Sequence, residues 1–188
     1  VSALARCLAA LAMVSCAPSN AAGGAPATFV DKADGFSINA PPLWGTRPIS
    51  REPKYSGVEM RSPDFDRTRM HCDVTATHDA FAETQDDLNK VMRSGHLMHP
   101  PARVARRGLT IQSGKTIQFA KGILGFTTEG TLRTDHLFSQ TMDRFETLQV
   151  FIPGRSYMVS CFAASAVFAA HRKAFDQTIA SFKLVASK

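Results

Sequence analysis

Arg69-Met70-His71-Cys72-Asp73-Val74-Thr75-Ala76-Thr77 is the stretch from which the fold can be read. Met70, Cys72, Val74 and Ala76 alternate with His71, Asp73, Thr75 and Thr77. Successive side chains of a strand point to opposite faces, so this period of two marks a strand with one buried and one wet face. Just upstream, Gly57–Arg61 reads as its partner strand, joined through the turn-rich Ser62-Pro63-Asp64. Further back, Thr28–Asp31 and Phe36–Asn39 are two short strands about the turn signal Asp34-Gly35. Pro41-Pro42-Leu43-Trp44-Gly45 ends the second of them.

Downstream, the period changes to that of a helix. Thr84 is a suitable N-cap, and Asp86 and Asp87 fall in the first turn, where the helix dipole favours acids. Leu88, Val91 and Met92 make an apolar stripe, Gly95 suits the C′ position, and Pro100-Pro101 bars continuation. Strands are then expected at about 109–112, 116–120, 123–133, 139–152 and 156–163, with Pro153-Gly154 turning the chain into the last. A C-terminal helix follows, capped by Ser165, with Phe168, Phe175, Ile179 and Phe182 on one face and Arg172, Lys173, Asp176 and Gln177 facing out. Antiparallel strands in runs, with few helices, define an α+β fold: an antiparallel β-sheet flanked by helices.

The first residues have a different character. Arg6 precedes an apolar run from Leu8 to Val14, and no acid occurs before Asp31. The run is too short to span a bilayer, which needs about 20 apolar residues. With the small residues Ser19-Asn20-Ala21 after it, residues 1–21 read as a cleavable signal segment. Met13-Val14-Ser15-Cys16 also resembles a lipoprotein box, in which Cys16 would carry the lipid. Residues 22–27 form a Gly/Ala/Pro spacer, and 28–188 a single domain. The expected location is therefore periplasmic or secreted, lipid-anchored in the bacterial envelope if Cys16 is modified, with no transmembrane helix in the mature form. The net charge of +6 is a mild basic excess, which speaks to solubility and non-specific association rather than to fold.

Gly35-Phe36-Ser37-Ile38-Asn39-Ala40-Pro41 followed by Trp44 resembles the first hairpin of the PsbP-like superfamily, which includes the photosystem II accessory protein and DcrB-type bacterial envelope proteins. Tyr157-Met158-Val159-Ser160-Cys161-Phe162-Ala163, then Phe168, Phe175, Ile179 and Ser181-Phe182, resembles its final strand and helix. The resemblance spans most of residues 28–185 and rests on structural residues. It implies an α/β/α sandwich and an accessory or binding role. It transfers no catalytic residue, and the cysteines lie outside the family pattern.

Enzyme motifs are sparse. Ser113-Gly114-Lys115-Thr116 looks like the end of a P-loop, but the required glycine five residues earlier is Leu109, and a strand rather than a helix follows; a glycine-containing turn is the simpler reading. No GxSxG elbow occurs. His71 and Cys72 are neighbours on a strand and so point apart, which argues against a dyad. His96 and His99 are weak metal candidates, lacking a HExxH helix or a defined third ligand. Arg103, Arg106 and Arg107, with Lys115, form the densest basic cluster, a candidate anion-binding surface for lipid head groups or an acidic partner. No aromatic side chains interleave with it, so no nucleic acid is expected. No cofactor is expected.

Once a signal segment is removed, Cys7 is lost and Cys16 is either lost or lipidated, leaving Cys72 and Cys161. By alternation both lie on apolar faces, Cys161 with Tyr157, Val159 and Ala163. In an oxidising compartment they are expected to form one disulfide; two buried free thiols are the competing reading. Together these features lead to an exported, non-enzymatic accessory or binding protein. A metal-dependent enzyme using His96 and His99, and a small-ligand carrier with an apolar cavity between sheet and helix, stand as alternatives.

Overall fold

The structure, a computed structural model, describes residues 26–52, 55–78, 83–94, 108–136 and 139–186. Its element order is β1 (Thr28–Asp31), β2 (Phe36–Asn39), β3 (Gly45–Glu52), β4 (Tyr55–Arg61), α1 (Phe65–Thr68), β5 (His71–Thr77), α2 (Gln85–Arg93), β6 (Leu109–Ala120), β7 (Ile123–His136), β8 (Ser139–Ile152), β9 (Arg155–Ala164), α3 (Ser165–Ser181) and β10 (Lys183–Leu184). The expected signal segment, the spacer up to residue 25, Gly95, Pro100 and Pro101 lie outside the described residues.

The long strands form one antiparallel sheet in the order β3-β4-β5-β9-β8-β7-β6. Consecutive strands are neighbours except at β5, which pairs with β9 across the middle of the sheet. A small second sheet, β1-β2-β10, joins the two ends of the domain, because β10 follows α3 directly and pairs with β2. The two larger helices cover opposite faces. Thr116 of β6 donates its hydroxyl to the Met92 carbonyl of α2, at 2.8 Å. Its neighbour Ile117 lines a cavity beneath α3. Adjacent strand residues point apart, so α2 and α3 flank the sheet as in an α/β/α sandwich.

The core lies between the sheet and the layer made by α3 and the small sheet. Val58, Met60, Cys72, Val74, Val159 and Cys161 supply its floor, all with no exposed surface. Phe175, fully buried, meets Trp44 edge-on at 6.3 Å and Phe168 at 5.3 Å. Phe36 and Phe182 close the other end against Tyr157. Asp34 fastens the β1–β2 turn to the main sheet: its carbonyl accepts from the Tyr157 hydroxyl at 2.6 Å, and its carboxylate meets Ser56 and His78.

Cys72 and Cys161 face each other directly in the β5–β9 ladder, and their sulfurs stand 2.06 Å apart, a disulfide distance. Their Cα atoms are 4.0 Å apart, just under the ~4.4–6.8 Å usual for a disulfide.

Several local expectations change. The turn read at Ser113-Gly114-Lys115-Thr116 is instead the middle of a continuous β6; a register shift between Ile111 and Ser113 absorbs the irregularity within the ladder to β7. Ser165 is not the cap of α3. The N-cap position falls on Ala164, and the Ser165 hydroxyl donates to the Met142 carbonyl at 2.9 Å, tying the helix start to β8. Thr84 does cap α2, its hydroxyl accepting from the Asp87 amide at 3.3 Å. Strand β3 has no counterpart in the sequence reading: Pro48 lies within it and it shows no apolar alternation. It is an edge strand, where a missing N–H is tolerated.

Gly57 lies where β4 crosses β5, and a Cβ there would stand 1.9 Å from the Val74 carbonyl oxygen. Backbone in a paired ladder cannot give way cheaply, so Gly57→Ala is expected to cost about 1–3 kcal/mol, as overpacked sites do. Urea denaturation measures it; a variant with the wild-type midpoint would contradict the close approach.

Candidate functional site

A cavity of about 550 Å³ lies between α3 and strands β6 and β8, with β10 contributing to its lining. Its walls are apolar: Ile117 and Phe119 from β6, Leu148 from β8, Ile179 from α3, and Phe182 and Leu184 after it. Sequence dictates each contribution locally. Ile117 and Phe119 alternate along β6, Leu148 occupies the same face of β8 as Val150, and Ile179 lies on the apolar stripe of α3.

Its polar end is acidic. In register, one row crosses the sheet from Met60 to Cys72, Cys161, Glu146 and Glu129. Paired residues share a face, so the apolar floor turns acidic at Glu146. Asp176 of α3 lines the same cavity and is within hydrogen-bonding reach of Glu146. A smaller hollow of about 180 Å³ continues from Glu146 toward Lys115, Glu129 and Arg172. There, Glu129 is held by two guanidinium groups, Arg144 and Arg172, the latter at 2.7 Å. Glu146 is not satisfied in this way: its Oε2 is buried without a hydrogen-bond partner.

Burial, and then the neighbouring Asp176 carboxylate, push the Glu146 carboxyl up to about 7, with Arg172 opposing. Near neutral pH the Glu146 carboxyl thus carries its proton for part of the time. Below the ordinary glutamate range Glu146 is protonated in both the folded and unfolded chain. As pH rises toward 7 the unfolded chain releases a proton that the folded one retains, so this group lowers stability across that window, with the full cost above it. Glu146→Gln is therefore expected to match wild type at pH 4 and to exceed it at pH 8 by about 1–2 kcal/mol, discounted for partial solvent screening. Urea midpoints at the two pH values check this. A variant less stable than wild type at pH 8 would show that the charged form is the favoured one.

Of the residues singled out in the sequence, Cys72 and Cys161 come together. Lys115 is exposed on β6 and borders the smaller hollow. Arg103, Arg106 and Arg107, His96 and His99, and Cys16 lie outside the described residues. Among the described residues no three His, Cys, Asp or Glu side chains gather as metal ligands, and no helix is long and apolar enough to cross a membrane. Glu146 escaped the sequence reading; Asp176 was read as facing out, and it is exposed while also lining the cavity. The available signal was Glu146 itself, an acid on the strand face otherwise carrying Leu148 and Val150.

The overall architecture has solved counterparts. Cyanobacterial PsbP from Synechocystis superposes with a TM-score of 0.58 at 17% identity, over 92% of this chain and 98% of that one. A crystal structure from Bacteroides thetaiotaomicron gives a TM-score of 0.50 at 10% identity, over 84% of this chain and 47% of the other. LpqN of Mycobacterium tuberculosis, described as involved in cell envelope biogenesis, gives 0.46 at 12% identity over 87% of each chain. No family model and no curated protein sequence matches the chain. The fold is PsbP-like, an α+β sandwich with a mainly antiparallel sheet.

Proposed function

We propose that this chain is an exported accessory protein of the bacterial envelope that acts by binding rather than catalysis, with its binding work done in the cavity under α3. The cavity carries the reading. Its volume lies in the range of small-molecule sites, roughly 300–1,000 Å³, and its apolar walls converge on one polar locus. Glu146 and Asp176 sit together in an otherwise largely apolar trough, an arrangement suited to orienting a ligand. Export is supported by Arg6, the apolar run after it and Ser19-Asn20-Ala21. A protein partner or an anionic membrane surface remains the proposed wider context, through the Arg103, Arg106, Arg107 and Lys115 cluster.

Mass spectrometry of protein purified from the native envelope tests both parts. Under native conditions a small molecule is expected to travel with the chain. Under denaturing conditions the mass should place the N-terminus near Ala22, or at a lipidated Cys16. Bare protein with no ligand in every preparation would remove the binding role, and an intact residue 1–10 segment would remove export. A stoichiometric metal would instead favour the metal-dependent enzyme using His96 and His99.

A further inference from the structure

The two ends of the cavity differ in chemistry, and that difference specifies a ligand class. The apolar walls accept a hydrocarbon tail and offer it nothing to hydrogen-bond. At the polar end stand two carboxyl groups, from β8 and α3, and the charged groups facing them are few. Arg172 of α3 is engaged with Glu129 of β7, as is Arg144 of β8. Lys115 of β6 lies exposed along the smaller hollow, and Lys183 of β10, also exposed, lines the cavity beside Leu184. Glu146 Oε2 is thus a buried acceptor with no donor, on a carboxyl that lies within hydrogen-bonding reach of another acid, Asp176.

We propose that the cavity binds an amphipathic amine, with its tail among Ile117, Phe119, Leu148, Ile179 and Phe182 and its ammonium between Glu146 and Asp176. This rests on reading the cavity as the binding site. An ammonium brings three donors and a positive charge to Glu146 Oε2, which has no donor, and to the Asp176 carboxyl beside it. Charge-assisted hydrogen bonds of this kind are the strong ones. An anionic head group would place a further negative charge beside Glu129, Glu146 and Asp176. A calcium ion takes six to eight oxygen ligands, and the apolar walls leave it too few. The ammonium favours the charged carboxylate, so the proton that Glu146 holds near neutral pH leaves to solvent as the amine enters.

Isothermal calorimetry on the full chain, with decylamine, decanol and decanoate below their micelle concentrations, tests the assignment. Decylamine is expected to bind at least about tenfold more tightly than decanol, the equivalent of one charged hydrogen bond, with decanoate weakest. At pH 7 its binding enthalpy should vary with the ionisation enthalpy of the buffer, reporting proton release. The double variant Glu146→Gln, Asp176→Asn should lose the preference for the amine while binding decanol as before. Ala180→Phe, an exposed change at the cavity wall, should weaken all three. Equal binding of decylamine and decanol, or tighter binding of decanoate, would overturn the amine assignment and leave the cavity as an apolar site. Binding of none of the three, or binding untouched by Ala180→Phe, would overturn the cavity reading itself.

Discussion

Replacing Cys72 and Cys161 together with alanine is expected to lower stability by about 2–4 kcal/mol, the usual effect of removing a structural disulfide. In a domain of this size that corresponds to a fall in melting temperature of roughly 5–15 °C. The cysteines are 89 residues apart in sequence, so a bond between them closes most of the domain into one loop and restricts the unfolded chain. It also joins β5 to β9, the one place in the main sheet where neighbours in space are distant in sequence. Reduction of wild type should reproduce the effect, because the alanine pair and the thiol pair both lack the cross-link. Alkylation of the denatured, non-reduced protein should leave Cys72 and Cys161 unmodified. Two alkylated residues there, or a double variant melting with wild type, would establish the free-thiol state.

Phe175→Ala is expected to cost about 3–5 kcal/mol, the upper range for a large core side chain. The ring is fully buried, with Trp44 against it edge-on and Phe168 two helical turns before it. Helix α3 has no side-chain cap at its start and no basic residue in its last turn, so packing rather than end effects holds it on the sheet. Removing Phe175 leaves a void that backbone on both sides is too constrained to fill. Phe175→Leu, which retains most of the volume, should cost well under half as much. Denaturant midpoints of the two variants decide it; equal, small losses would mean that the helix is anchored elsewhere. Because α3 also forms one wall of the cavity, Phe175→Ala should weaken ligand retention in proportion to lost stability, whereas the Glu146 and Asp176 changes should alter selectivity without it.

Much of the architecture was legible because it is local. The alternation of Met70, Cys72, Val74 and Ala76 records which side of β5 is dry, and the same pattern in β9 orients Cys161. The bounds of β1 and β2 follow from Asp34-Gly35 and Pro41, and α2 begins where Thr84 can cap it. The Phe stripe of α3 names its buried face. Each of these signals arises from neighbours within a few residues. Where the local signal is silent the reading fails. Strand β3 has no alternation because it is an edge, held by one partner, and β6 runs through its glycine because the ladder to β7 tolerates a register shift.

An α+β sheet with helices packed on it and the inward placement of both cysteines could be read from residue order alone. Tertiary structure alone decided that β5 lies beside β9, which turns two inward cysteines into an opposed pair. It alone decided that Glu146 and Asp176, 30 positions apart and each an ordinary acid in its own segment, meet at the end of an apolar cavity. The reason is physical. A side chain's direction is set by its own backbone period, whereas strand order and helix docking are set by the summed burial of the whole chain, and only those bring distant segments to the same place.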